Sequence, residues 1–297
     1  MEFYRWQPRS ETSWAWRVFK KHNDEFYKMY TTFYNSYNYT YKMLGINNAE
    51  WEDQPEKHFN FEHGWEKKRF TDIKDWSTSF NGLENWTNLN ALVAISSNLE
   101  TYIATIVPLA LESDIGVLFG TPRRIDGIEI IKFGNEKPSN FDKLVVGCTK
   151  GTWESRLNTY ERLFGTVPQY LRDNIGELEK IRNIRNEVAH AFGRDIDESR
   201  KNGEVTTLPI KKLSRRNFIK LQTVTWRTAK EIDNHLYREH IGDYQSLLFY
   251  HNMYLGLNHQ VHPSQRAMQF KKKIGQHGDI PASKKYCKEL VEYYESL

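Results

Sequence analysis

Leu92, Ile95, Leu99, Ile103 and Ile106 recur at steps of 3, 4, 4 and 3, the rhythm that lays apolar side chains along one face of an α-helix. The same rhythm returns along most of the chain. Tyr27, Tyr30, Tyr34, Tyr37, Tyr41 and Leu44 step by 3 and 4, Trp153, Leu157, Tyr160 and Phe164 mark a further stripe, and Leu178, Ile181, Ile184 and Val188 another. Ser214 stands where it can cap a helix through Phe218, Leu221, Val224, Ile232 and Leu236. An apolar run from Tyr244 to Leu257 and a last stretch from Ala282 to Leu297 also read as helical. Pro108 is expected to kink or end the Leu92 helix, and Gly193 to stop the helix that carries Val188. Some stretches break the pattern. Gly120, Pro122, Gly127, Gly134, Pro138 and Gly147 interrupt residues 116–151, and the β-branched run from Ile128 to Phe133 predicts a small hairpin or ordered loop there. An extended stretch is expected around Val205 to Ile210. The predicted class is mostly α, a helical bundle with a short β-hairpin or loop insertion.

Of the 42 aromatic residues, 22 precede residue 87, which sets an aromatic-rich N-terminal helical extension, residues 1–80, apart from a bundle over 81–255 and a basic C-terminal helical tail over 256–297. Tyrosines can stack on unpaired bases, but a stripe at helical spacing is more simply packed against another helix, and that reading is taken for the Tyr27 seam. Residues 51–80 show no clean period and predict irregular structure with short helical pieces.

Several function classes lose support. No Walker phosphate loop and no G-x-G-x-x-G occurs. Cys148 and Cys287, the only cysteines, are too few for a disulfide scaffold and suit a reducing, cytoplasmic setting. Cys148, in a glycine-flanked stretch, reads as a structural thiol. His251, His259 and His262 lack the partners of a zinc site, so neither metal nor cofactor is expected. Leu92 to Leu111 carries Ser96, Ser97, Asn98 and Glu100, which fits a core helix better than a membrane span. The net charge of +4 permits nucleic-acid binding without demanding it.

The sharpest local signal lies between Glu179 and His190. With Ile181, Ile184 and Val188 turned inward, His190 falls on the opposite side of the helix, Asn186 one turn before it and Asn183 two turns before. Arg185 is about 140° from His190, nearer the edge of the buried face. Arg182 sits closer to Asn186, where it either joins a cluster able to bind an anion or pairs with Glu179 or Glu187.

Arg185, Asn186 and His190 form R-N-x-x-x-H at the end of a helix, and in this the chain resembles the HEPN superfamily. Glu100, within Asn98-Leu99-Glu100-Thr101-Tyr102-Ile103, is similar to an acidic position on an upstream helix of that superfamily. The resemblance spans roughly residues 81–239. It implies a helical bundle that dimerises, so that two protomers build one groove, and metal-independent endoribonuclease activity there. His190 would serve as general base or acid, Arg185 would hold the phosphate, Asn186 would orient, and Glu100 would buttress the arginine or histidine. Histidine can take a proton from a ribose hydroxyl or give one to the leaving oxygen, while arginine grips the phosphate. By the same resemblance the substrate is tRNA or other cellular RNA, the setting a toxin or antiphage-defence system, and a partner an antitoxin or defence-complex protein. A noncatalytic HEPN-like RNA-binding or scaffolding subunit is the alternative. Glu100 has a plainer role open to it, a partly buried salt bridge to a bundle arginine. The basic run Lys211, Lys212, Arg215, Arg216 and Lys220 either tracks RNA phosphates or forms a solvated helix start, and Lys271 to Lys273 with Lys284 and Lys285 poses the same choice.

Overall fold

The expected stripes become helices in the computed structural model, which describes residues 3–135, 140–192, 209–254, 256–257, 260–276 and 282–297. In chain order they are α1 (Trp14–Ile46), α2 (Gly64–Lys67), α3 (Ile73–Ser113), α4 (Gly127–Lys132), α5 (Asp142–Thr149), α6 (Trp153–Phe164), α7 (Gln169–Asp173), α8 (Ile175–Ala191), α9 (Arg215–Leu236), α10 (Tyr244–Tyr254), α11 (Pro263–Gly275) and α12 (Lys284–Ser296). Short 3-10 turns cover Pro55–Lys57 and Ile115–Phe119, and a π-helical turn covers Tyr237–Ile241. The protein is mostly helical. Among the described residues there is no strand, only an isolated antiparallel bridge between Asp114 and Asp126.

The expected hairpin is therefore a helix, α4. The Asp126 carboxylate accepts from the amide of Ile128 at 3.1 Å and starts the turn. A Cβ on Gly127 would lie 1.8 Å from the carbonyl oxygen of Glu112, so only glycine admits this approach. Ile128 is completely buried. A cap and a buried contact outweigh the strand preference of three isoleucines, which spans only about 1 kcal/mol. α3 likewise runs through Pro108 rather than ending there. Ile106, Val107, Ala110 and Leu111 around it are fully buried, and burial at about 1.5–3 kcal/mol for each large side chain exceeds the proline's cost of about 3 kcal/mol. α3 is the one helix among the described residues long and apolar enough to cross a membrane; Leu92, Ile95 and Leu99 on its apolar stripe are buried in the protein. α8 ends at Ala191, with Phe192 in the left-handed region at φ 56°. Gly193 and residues 205–208 of the expected extended stretch lie outside the described residues.

The chain divides into two units, one of Met1–Phe19, Glu100–Ile175 and Arg227–Leu297, the other of Lys20–Leu99 and Gly176–Trp226. This partition differs from borders near residues 80 and 255. Residue 80 falls inside α3, the N-terminal stretch is shared between the units, and the C-terminal tail belongs to the first.

In the first unit Trp16, Phe19 and Tyr102 cluster, with Phe19 and Tyr102 ring centroids 5.2 Å apart. Arg5 is almost wholly buried. Its guanidinium reaches Asp126 at 2.8 Å, the Ser113 hydroxyl at 2.8 Å and the carbonyl of Ile241 at 2.8 Å, and it lies 3.6 Å from the Trp6 ring centre. A buried cation is tolerable only when it is paired and hydrogen-bonded.

In the second unit the tyrosine seam of α1 packs on α3. Tyr30 and Tyr34 are buried, and Tyr30 meets Phe218 of α9 at 4.6 Å. The phenols donate to α3 in register: Tyr30 to Asn88 at 2.7 Å, Tyr34 to Glu84 at 2.6 Å, Tyr37 to Asn81 at 2.5 Å.

Candidate functional site at the end of α8

α8 buries Leu178, Ile181 and Ile184 and turns its other face outward, as the spacing requires. Val188 is only half-buried, so the inward stripe fades toward the C-terminus. His190 and Asn183 are exposed, while Arg185 and Asn186 are half-buried. Arg185 does reach around from the edge of the buried face: its Nη1 donates to Asn186 Oδ1 at 3.1 Å. The helix thus ends with a guanidinium and an amide joined, and an imidazole one turn further on in solvent.

The neighbouring charges are mostly spoken for. Arg182 donates to Glu179 at 2.8 Å and to Asn183 at 2.9 Å, which is the ion-pair reading. Glu187 instead receives Lys211, whose Nζ lies 2.8 Å from Oε2. Lys211 is held there by the chain around it. Asn85 of α3 donates to the Lys211 carbonyl at 3.0 Å and accepts from the Leu213 amide at 2.8 Å, and the buried Asn88 donates to the Leu213 carbonyl at 2.9 Å. Of the rest of the basic run, Lys220 pairs with Glu177 and the Arg215 guanidinium sits 4.0 Å over the Tyr34 ring. Lys212 and Arg216 face solvent. The sequence signal for this stitching of residues 211–213 to α3 is weak, a pair of asparagines one turn apart.

Glu100 belongs to the first unit, whereas Arg185, Asn186 and His190 belong to the second. Its carboxylate meets Arg156 of α6 at 3.2 Å, and the two side chains are 15% and 5% exposed. That is the partly buried ion pair with a bundle arginine.

Cys148 lies on α5 rather than in a loop, and burial pushes its thiol up to about 11. A thiol so rarely ionised is a packing residue. Cys287 is buried with its thiol likewise pushed up to about 11. Among the described residues no group of three His, Cys, Asp or Glu side chains is placed to hold a metal. His251 shares a 2.6 Å hydrogen bond with the Tyr294 hydroxyl, His262 caps α11 by accepting from the Ser264 amide, and His259 lies outside the described residues. Lys271, Lys272 and Lys273 form an exposed stripe on α11, and Lys285 is beside Glu289 on α12.

The first unit holds two histidines that the sequence did not single out. His235 contacts the Tyr160 hydroxyl at 2.7 Å and the Thr166 hydroxyl at 3.1 Å, and His240 contacts Asp114 at 2.9 Å. Burial, with His240 beside it, pushes His235 down to about 4. His240 is buried, while His235 is half-buried against Tyr160 and Thr166. In comparisons with known proteins, the chain matches no family model, no curated protein and no solved structure.

Proposed function

We propose that the protein is a metal-independent endoribonuclease of HEPN type whose chemistry is carried by Arg185, Asn186 and His190. The supporting observation is the end of α8, where Arg185 rests on Asn186 at 3.1 Å and His190 stays exposed. A helix needs no solvent-facing imidazole to fold, and its dipole rewards a cation there by only about 0.3–1 kcal/mol. In this reading two protomers bring the same helix ends together. One His190 takes the proton of a ribose 2′-hydroxyl, its oxygen attacks the adjacent phosphorus, and the leaving 5′-oxygen receives a proton from the other. Arg185 holds the phosphate oxygens as charge builds on them, with Asn186 fixing the guanidinium. The carboxylate of Glu100 also pairs with Arg156 at 3.2 Å. RNA is the substrate because the attack needs the 2′-hydroxyl. The setting we propose is a cytoplasmic toxin or antiphage effector, tRNA or other cellular RNA its target, held in check by an antitoxin or complex partner.

The test is cleavage of total tRNA and of unstructured RNA in excess EDTA by the intact protein, His190→Ala and Arg185→Ala. Products ending in 2′,3′-cyclic phosphate, lost in both variants, are expected. Absence of cleavage by a folded dimer supplied with its partner would shift the reading to a noncatalytic RNA-binding or scaffolding subunit.

A further inference from the structure

Residues 51–74 leave and rejoin the helical frame at one point. The amide of Lys74 donates to the Trp51 carbonyl at 3.1 Å and that of Ile73 to Asp53 at 3.0 Å, and Gln54 Nε2 adds a bond to the Thr71 carbonyl at 3.1 Å. Phe59 of this loop stacks on Trp76 of α3 with ring centres 4.3 Å apart, and within the loop Phe61 faces Phe70 at 6.4 Å, which closes off a tip. The tip carries α2, and Glu66 reaches back to the His63 amide at 3.1 Å to hold its start.

What the tip shows to solvent is unusual for a loop that already has an aromatic interior. Trp65 is 58% exposed. Its ring is nearly parallel to that of His63, 17° apart in tilt with centres at 6.1 Å, and the Arg69 guanidinium lies 5.5 Å from its centre. Lys67, Lys68 and Arg69 follow in sequence and are exposed. Lys67 is 3.7 Å from Glu56, whereas Lys68 and Arg69 have no carboxylate within ion-pair distance among the described residues. An indole held in water forgoes the burial that drives folding, and its neighbours are charged, which does not suit an apolar protein contact.

We propose that this tip is a docking site for single-stranded RNA, with a base stacked on Trp65 and flanking phosphates on Lys67, Lys68 and Arg69. A flat ring beside closely spaced cations matches the alternation of base and phosphate in an unpaired strand. The site rests on the proposed RNA substrate, since it would hold the strand that α8 cuts, but it is testable apart from cleavage. Stacking is indifferent to base identity, so the tip supplies affinity for unpaired strand rather than sequence choice.

The experiment uses the full chain carrying His190→Ala, so that RNA stays intact, with a 4-thiouridine oligonucleotide for crosslinking and a fluorescein-labelled oligouridine for binding by anisotropy. Crosslinks are expected within residues 61–70, and Trp65→Ala should weaken binding about 5- to 100-fold while Trp65→Phe retains most of it. Lys68→Ala with Arg69→Ala should flatten the slope of log affinity against log salt by about 1.4. Crosslinks elsewhere with Trp65→Ala binding as tightly as its parent, or no RNA bound by the folded protein, would overturn the site. Trp65-dependent binding without cleavage by the His190-containing protein keeps the site and removes the nuclease reading. Cleavage with a KM untouched by Trp65→Ala does the reverse.

Discussion

Asp243 and His235 are buried groups whose protons pull stability in opposite directions. Burial pushes the Asp243 carboxyl from 3.8 up to about 6, against the Tyr286 hydroxyl, Arg5 and Arg9, which pull it down. The folded protein keeps this proton where the unfolded chain has lost it, so the stability present below pH 4 is withdrawn as pH rises to 6, by up to about 3 kcal/mol. His235 is pushed from 6.5 down to about 4. Here the unfolded chain takes the proton first, and stability is lost as pH falls from 6.5 to 4. The two slopes offset each other between pH 4 and 6. Urea titrations at pH 4, 5 and 6 should therefore show Asp243→Asn gaining stability with pH more steeply than the parent, and His235→Gln losing stability as pH rises relative to the parent. Glu100→Gln separates two roles at another residue. Acting only as the partner of Arg156, it should cost about 2 kcal/mol of stability and leave the cleavage rate within about threefold; acting as a buttress of the site, its loss should lower kcat about a hundredfold. A salt bridge of Glu100 to a bundle arginine was legible in the sequence, but not which arginine, because Arg156 is 56 positions away; the Arg185 to Asn186 contact was not legible either, since neighbours in sequence point to different sides of a helix.

At the scale of elements, the stripes led by Leu92, Tyr27, Trp153 and Phe218 were legible because spacing of 3 and 4 survives any tertiary context. α4 was not, since β-branched residues favour a strand and it is the Asp126 cap that starts the helix. Nor were α5 and α7, too short to show a period; α11 falls in the expected helical tail, with Ala267, Phe270 and Ile274 buried among basic residues. The π-helical turn Tyr237–Ile241 had no sequence signal at all. It closes with the Gly242 amide on the Tyr237 carbonyl at 2.8 Å, and the next amide, that of Asp243, donates to the Arg5 carbonyl at 2.9 Å. Gly242 has φ 53°, and a Cβ there would lie 2.3 Å from the Arg5 carbonyl oxygen. Gly242→Ala should cost about 3 kcal/mol or more, read as a drop in the urea midpoint with the slope unchanged, because both strain and a backbone clash must be relieved.

For the whole molecule, the proposed groove exists only when two protomers meet, so activity per protomer should fall on dilution, in step with the dimer fraction measured by light scattering. Constant specific activity down to concentrations where only monomer is present would place the complete site within one chain. The loop closed by the Lys74 to Trp51 and Ile73 to Asp53 bonds adds something at this scale. Its two ends meet side by side, and the cost of closing a loop grows only by about 0.6 kcal/mol for each doubling of its length. The helices α1 and α3 can thus stay as they are while the stretch between them is lengthened, shortened or exchanged. Descendants of this chain could acquire a different reach or preference in what they hold by trading one surface cassette, leaving the Arg185, Asn186 and His190 cluster untouched.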